Sequence, residues 1–215
     1  MLKVIRETFG PLDTYSHLLA DPGSREAFLV DPGWGSFEGW RSLVEKERFA
    51  LKAILNTHGH IDHTCDNALW KDAFPGARLG IHKSDALMLE DADLSGAAWL
   101  DFPFRPTAAD FYLETGLGLA LGEVKFRILA TPGHTPGGVC LLAENNLIAG
   151  DTLFKGGVGR WDLPGGNYDD LMTSIKRELL VLSDDTNVLP GHGEPTTIGR
   201  ERKYNPFISA TERKP

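Results

Sequence analysis

The segment Thr57-His58-Gly59-His60-Ile61-Asp62-His63 carries three imidazoles and a carboxylate within seven residues. Three groups of the same kind follow: His134 in Thr-Pro-Gly-His-Thr, Asp151 in Ala-Gly-Asp-Thr, and His192 in Leu-Pro-Gly-His-Gly. Five of the chain's seven histidines are in this set. Imidazole nitrogens and carboxylate oxygens are the ligands of zinc and of borderline first-row metals. His58, His60, Asp62, His63, His134, Asp151 and His192 suffice for two divalent ions sharing one carboxylate. Zinc is the expected metal, with iron or manganese as alternatives.

The spacing has a physical reading. Side chains two apart on an extended segment point the same way. His58 and His60 can therefore grip one ion where the apolar run Leu51–Leu55 ends, and Gly59 lets the backbone come close. Asp62 and His63 lie past the turn and can face a second position. Cys65, two residues further on, reads as a packed thiol rather than a ligand. His17 and His82 lie outside the pattern and read as ordinary, structurally satisfied histidines.

Positioning these groups requires a frame, and the chain is rich in strand signals. Lys3–Phe9, Thr14–Ala20, Ala27–Val30, Leu51–Asn56 and Arg78–Ile81 read as strands. So do Leu117–Leu121, Val124–Leu129, Gly138–Leu142, Asn146–Ala149 and Asn187–Leu189. Helical spacing marks Phe37–Arg48, Asn67–Phe74, and Ser84–Glu90 with Ser84 as its cap. Tyr168–Leu182 reads as one amphipathic helix with Leu171, Ile175, Leu179 and Leu182 on a single face. Each ligand group then falls just past the carboxyl end of a strand, so strands ending at a common rim bring distant ligands together. Many strands with few helices suggest two packed sheets with helices outside. Residues 91–115 are irregular, with Trp99, Phe102, Phe104, Phe111 and Tyr112 among prolines. They read either as a satellite cluster on a sheet edge or as a lid over the site.

At 215 residues the chain fits one domain, residues 1–215. Such a chain buries roughly 70% of its unfolded surface and needs no disulfide. Its two cysteines, Cys65 and Cys140, suit a reducing compartment. A net charge of −8 argues against a nucleic-acid partner. The N-terminus lacks a signal peptide's apolar core, and no apolar run approaches the ~20 residues of a membrane span. A cytoplasmic protein acting on a small molecule is expected, with its oligomeric state open.

With the ligand set assembled, the chain resembles the metallo-β-lactamase superfamily at Asp31 (Leu-Val-Asp-Pro-Gly), residues 57–63, His134, Asp151 and His192. The resemblance implies an α+β fold, a four-layer αββα sandwich with its site at one rim. It also implies that His58, His60 and His134 hold one ion, that Asp62, His63 and His192 hold the other, and that Asp151 bridges them. Within the superfamily, Gly150-Asp151-Thr152-Leu153-Phe154, Val158-Gly159-Arg160 and Pro190-Gly191-His192-Gly193 are similar to glyoxalase II. The run 159–166 and the tail 201–207 resemble its short bacterial branch. Full-length glyoxalase II enzymes add a helical domain with glutathione contacts. This chain extends past His192 by about one helix, so the thioester itself does not carry over.

The chemistry expected is hydrolysis of a thioester such as S-lactoylglutathione. Two metals roughly 3.5–4 Å apart share a water and make it hydroxide near neutral pH. One ion polarises the carbonyl, and the thiolate leaves without prior protonation because its conjugate acid has a pKa of roughly 8.5. Asp62 anchors an ion and accepts from the hydroxide, while Asp151 sets the metal spacing. Asp31 either orients a ligand imidazole or is a turn aspartate before Pro32-Gly33. Arg160 either meets a substrate carboxylate or is a surface arginine. The alternative is a persulfide dioxygenase with one iron on His58, His134 and Asp151. A lactonase or β-lactamase is a weaker third reading.

Overall fold

Apolar alternation along the strands sets the layers of the fold. The computed structural model describes residues 1–209. Strands β1 (Lys3–Phe9), β2 (Thr14–Asp21), β3 (Glu26–Val30), β4 (Ala50–Leu55), β5 (Arg78–Ile81) and β6 (Phe111–Tyr112) form one sheet in that order. Strands β7 (Leu119–Leu121), β8 (Val124–Ala130), β9 (Val139–Ala143) and β10 (Asn146–Gly150) belong to the second. A small hairpin of β11 (Leu153–Phe154) and β12 (Gly157–Val158) follows, and β13 (Asn187–Pro190) and β14 (Thr196–Thr197) return to the second sheet. Its order is β14-β13-β10-β9-β8-β7.

Phe28, Val30, Ala53 and Leu55 face Phe126, Ile128, Leu141 and Ile148 across the gap between the sheets. Their strand neighbours point the other way. Leu29, Ile54 and Leu79 pack on Trp40 of α1 (Ser36–Glu47). In chain order, α1 is followed by α2 (Ile61–Thr64), α3 (Asn67–Ala73) and α4 (Ala97–Leu100) before the second sheet begins. Trp70 of α3 packs in the same outer layer as Trp40. On the far side, Leu142, Leu147 and Val188 pack on Leu171 of α5 (Tyr168–Ser174). Helices α6 (Ile198–Tyr204) and α7 (Pro206–Ser209) close that layer. The result is the expected αββα sandwich of two mixed sheets. Among the described residues, no helix is long and apolar enough to cross a membrane.

Several local expectations are corrected. The Ser84–Glu90 helix is a 3-10 helix over Lys83–Leu89, and its cap is the His82 imidazole, whose Nδ1 accepts from the Ser84 backbone N–H at 3.2 Å. The helix from Tyr168 widens into a π turn at Ile175–Leu179 and does not extend to Leu182. Leu171, Ile175 and Leu179 are spaced by four and drift around a 3.6-residue helix. The wider turn keeps all three on the buried stripe, where each is fully buried. Past His192 the described residues form two short helices. Helix α1 takes its N-terminal partner from far away: the Asp66 carboxylate accepts from the Gly35 and Phe37 N–H groups at 2.9 and 3.0 Å. That bond ties the segment after His63 to the first sheet's helix layer.

Candidate metal centre

Strand direction explains why the ligands converge. β8 and β9 are antiparallel, as are β9 and β10, and β10 and β13 are parallel. Strands β8, β10 and β13 therefore run the same way. Their carboxyl ends deliver His134, Asp151 and His192 to one rim. On the facing sheet, β3 and β4 are parallel and end beside it with Asp31 and the segment 56–63. His58 and His60 lie in the loop after β4. Asp62 and His63 lie on the single turn of α2.

All seven residues expected as ligands are brought together. Three groupings could each hold an ion: His58–His60–His134, His58–His63–Asp151 and Asp62–His63–His192, with ligand atoms within 4.8 Å of one another. His60 Nδ1 lies 2.9 Å from His134 Nε2. Asp62 Oδ2 lies 3.4 Å from His63 Nε2 and 3.2 Å from His192 Nε2. Asp151 stands between the groups, with Oδ1 at 3.4 Å from His63 Nε2 and Oδ2 at 3.7 and 3.5 Å from the Nε2 atoms of His134 and His192. His58 Nε2, His63 Nε2 and Asp151 Oδ1 are buried and have no hydrogen-bond partner. Buried polar atoms are normally paired. Orphaned donors converging on one point are what a metal site looks like from the protein side, so the residues present fit divalent ions.

The outer nitrogens are held in turn. His63 Nδ1 lies 3.0 Å from Asp31 Oδ2, and His134 Nδ1 lies 2.7 Å from the Arg160 carbonyl. His192 Nδ1 lies 3.0 Å from the Leu12 carbonyl. Thr57 links His58 to Asp31. Its Oγ1 donates to Asp31 Oδ2 at 2.6 Å and lies 3.1 Å from His58 Nδ1. These contacts turn each inner nitrogen's lone pair toward the centre. Asp31 is thus the partner of a ligand imidazole. It also serves the turn, its carbonyl accepting from the Gly33 N–H at 2.9 Å.

Charge separates the two sides. Burial and the surrounding imidazoles push His58 well below its ordinary pKa and bring His60 to about 4. Burial also opposes protonation of His63, but Asp62, Asp151 and Asp31 outweigh it and hold that imidazole well above its usual value. Desolvation works against ionised Asp151, yet His63, His134 and His192 bring its carboxyl to about 2. The carboxylates hold positive charge at this centre.

Several contributors carry no readable sequence signal. Thr14 Oγ1 donates to Asp62 Oδ2 at 2.9 Å. Buried Asp85 accepts from the Gly59 N–H (3.1 Å), the Gly137 N–H and Thr135 Oγ1 (both 2.6 Å), tying the His58–His60 loop to the His134 loop. Thr57 stood inside the motif, and its hydroxyl beside His58 was the one available clue. Gly59 has a different reason from the expected one. A Cβ there would meet Met88 at 2.5 Å, so the glycine makes room for the Lys83–Leu89 helix. At Gly191 a Cβ would meet Asp151 Oδ1 at 2.3 Å and His63 Cε1 at 2.6 Å, so this glycine backs the ligands directly.

Two further readings change. His17 is not structurally satisfied: it is buried between the sheets with both ring nitrogens unpartnered. Burial, with Arg6 and His63 nearby, brings its pKa to about 3. Residues 91–115 divide. Phe102 and Ala97 pack on Ile61 as a small satellite core, and Phe111 lies on edge strand β6. Trp99 and Leu100 instead line a cavity of about 450 Å³ over the ligands. Arg160 is at that cavity too, but its guanidinium is exposed and paired in two-pronged fashion with Asp162 at 2.9 and 3.1 Å. Cys65 takes no part; its Sγ donates to the Pro103 carbonyl at 3.1 Å.

Known proteins resemble this chain in sequence and fold. The hydroxyacylglutathione hydrolase GloC of Haemophilus influenzae is 36% identical over 86% of this chain and 89% of its own. The crystal structure of the BLEG-1 B3 metallo-β-lactamase superposes with a TM-score of 0.89 at 34% identity, covering 96% of this chain and all of the other. TTHA1623 in a di-iron-bound form superposes at 0.83 with 35% identity, over 94% of this chain and 99% of its own. The family model of the metallo-β-lactamase superfamily matches residues 9–192, from the end of β1 through His192, and the chain belongs to that superfamily.

Proposed function

We propose that this protein is a dinuclear metal-dependent hydrolase that cleaves thioesters, S-lactoylglutathione among them. One observation carries the reading: two ligand triads, His58–His60–His134 and Asp62–His63–His192, flank Asp151, whose oxygens face both. The similarity to GloC supports the thioester, and the di-iron form of TTHA1623 supports two ions. Zinc is the metal we expect, with iron or manganese as alternatives. Bound divalent ions supply Lewis acidity, which activates water and polarises the scissile carbonyl.

The chain's own groups prepare that chemistry. Asp151 sets the spacing between the triads. Asp62, held by Thr14, anchors the second triad and offers a carboxylate oxygen to a water hydrogen. Asp31 and Thr57 fix His63 and His58, and the Arg160 and Leu12 carbonyls fix His134 and His192. A thiolate leaves without a proton, so the site needs no serine or cysteine nucleophile. Elemental analysis after metal saturation, beside a thioester assay, tests the reading. Near two metals per chain with cleavage of S-lactoylglutathione is expected. One tightly held iron, with persulfide-dependent oxygen uptake and no thioester cleavage, would assign a dioxygenase centred on His58, His134 and Asp151 instead.

A further inference from the structure

The cavity over the ligands has an apolar wall that the hydrolytic chemistry does not use. Its floor is His60, Asp62, His134, Asp151 and His192, and its sides are Leu12, Trp99, Leu100, Phe154 and Leu163. Trp99, Leu100 and Leu12 are 52%, 43% and 44% exposed, a concentration of large apolar surface around one opening. Exposed apolar surface grouped at a cavity, unlike scattered single residues, marks a binding site. The wall is also held in place. The Trp99 indole N–H donates to the Asp93 carbonyl at 3.2 Å, and α4 is anchored beneath by Ala97 against Ile61 and Phe102.

Among the described residues, cations are scarce there: the one basic side chain that lines the cavity outside the ligand set is Arg160, already paired with Asp162. Further along the chain, Lys155 pairs with Glu194, Arg200 with Glu201, and Arg202 with Asp184 and the Leu180 carbonyl, while Lys203 lies over the Tyr204 ring. A glutathionyl group brings two carboxylates, which need such partners. An alkyl or aryl group needs only the wall.

We propose that Leu12, Trp99, Leu100, Phe154 and Leu163 receive an uncharged apolar arm of the substrate, making the preferred substrates apolar thioesters rather than acidic peptidyl ones. This rests on the hydrolase reading and narrows its substrate class. The cavity volume suits a small organic arm.

The test uses metal-loaded protein and two neutral thioester series, one lengthened on the acyl side and one on the thiol side. S-lactoylglutathione is run beside them. Non-hydrolysable S-alkyl thioethers of the same lengths are titrated by calorimetry. In at least one series kcat/KM should rise about fourfold per methylene, the factor expected for a buried CH₂. Thioether affinity should rise in step. Trp99→Ala and Leu100→Ala should flatten both trends, while Leu87→Ala, exposed and away from the cavity, should leave them intact. Cleavage with flat alkyl trends and a tenfold preference for the glutathionyl thioester overturns this inference and leaves the hydrolase standing. No cleavage, with chain-length-dependent thioether binding lost in Trp99→Ala, overturns the hydrolase and keeps the apolar wall. Neither cleavage nor binding overturns both.

Discussion

Replacing Asp31 by Asn changes one heavy atom and reverses two hydrogen bonds beside the centre. Asp31 Oδ1 accepts from the Thr57 N–H at 2.7 Å, so the asparagine oxygen belongs there. Its amide nitrogen then faces Thr57 Oγ1 and His63 Nδ1, where Oδ2 stood at 2.6 and 3.0 Å. An amide N–H donates, so His63 Nδ1 must accept and its proton moves to Nε2. That proton points at Asp62 and Asp151, each 3.4 Å away, in the place an ion would take. Metal binding in the variant must first move the proton and break the new bond. Losing such a supporting partner lowers metal affinity by about 10- to 100-fold, or about 1.4–2.8 kcal/mol. Zinc affinity measured by competition with a chromophoric chelator reads this directly. Folding should survive, since one charge-assisted hydrogen bond contributes about 1.5–3 kcal/mol. Native melting together with zinc affinity within twofold of the parent would refute the claim that Asp31 orients His63.

Asp151→Ala should abolish thioester hydrolysis and lower metal content at both positions; near-normal turnover with both ions retained would sink the bridging role. Chelator treatment should remove activity, and divalent zinc should restore it. Asp85→Ala strands two buried N–H groups and a hydroxyl, each costing about 1–3 kcal/mol, so urea unfolding should show at least about 3 kcal/mol of lost stability. A loss under 1 kcal/mol would mean that the two ligand loops hold without it. His17 has a folded pKa of about 3 against an unfolded 6.5. As pH falls through that window the unfolded chain takes up a proton that the folded one refuses, so stability drops; above 6.5 there is no effect. His17→Phe should therefore gain about 2 kcal/mol on the parent between about pH 8 and pH 5, from 1.36 kcal/mol per unit, and parallel stability–pH curves would refute it.

The sequence by itself pointed to the candidate metal-binding cluster and to most of the frame. The His58–His63 segment is legible because its ligands are neighbours, and spacing along a short stretch translates directly into direction. Strands such as β4 and β8 are legible because apolar alternation with period two depends on each strand alone. His134, Asp151 and His192 were identifiable as residues after strand-like runs, which follows from each run ending in a turn. Only the tertiary structure decided which nitrogens of His134 and His192 face the centre, because the Arg160 and Leu12 carbonyls that hold their Nδ1 atoms come from segments remote in the chain. It also decided that Arg160 is paired with Asp162 and that Trp99 and Leu100 wall the cavity, since an irregular segment's side chains are placed by what they pack on. His17 shows the same limit: its alternation on β2 reads as an ordinary strand position, and only the closure of the second sheet buries it without a partner.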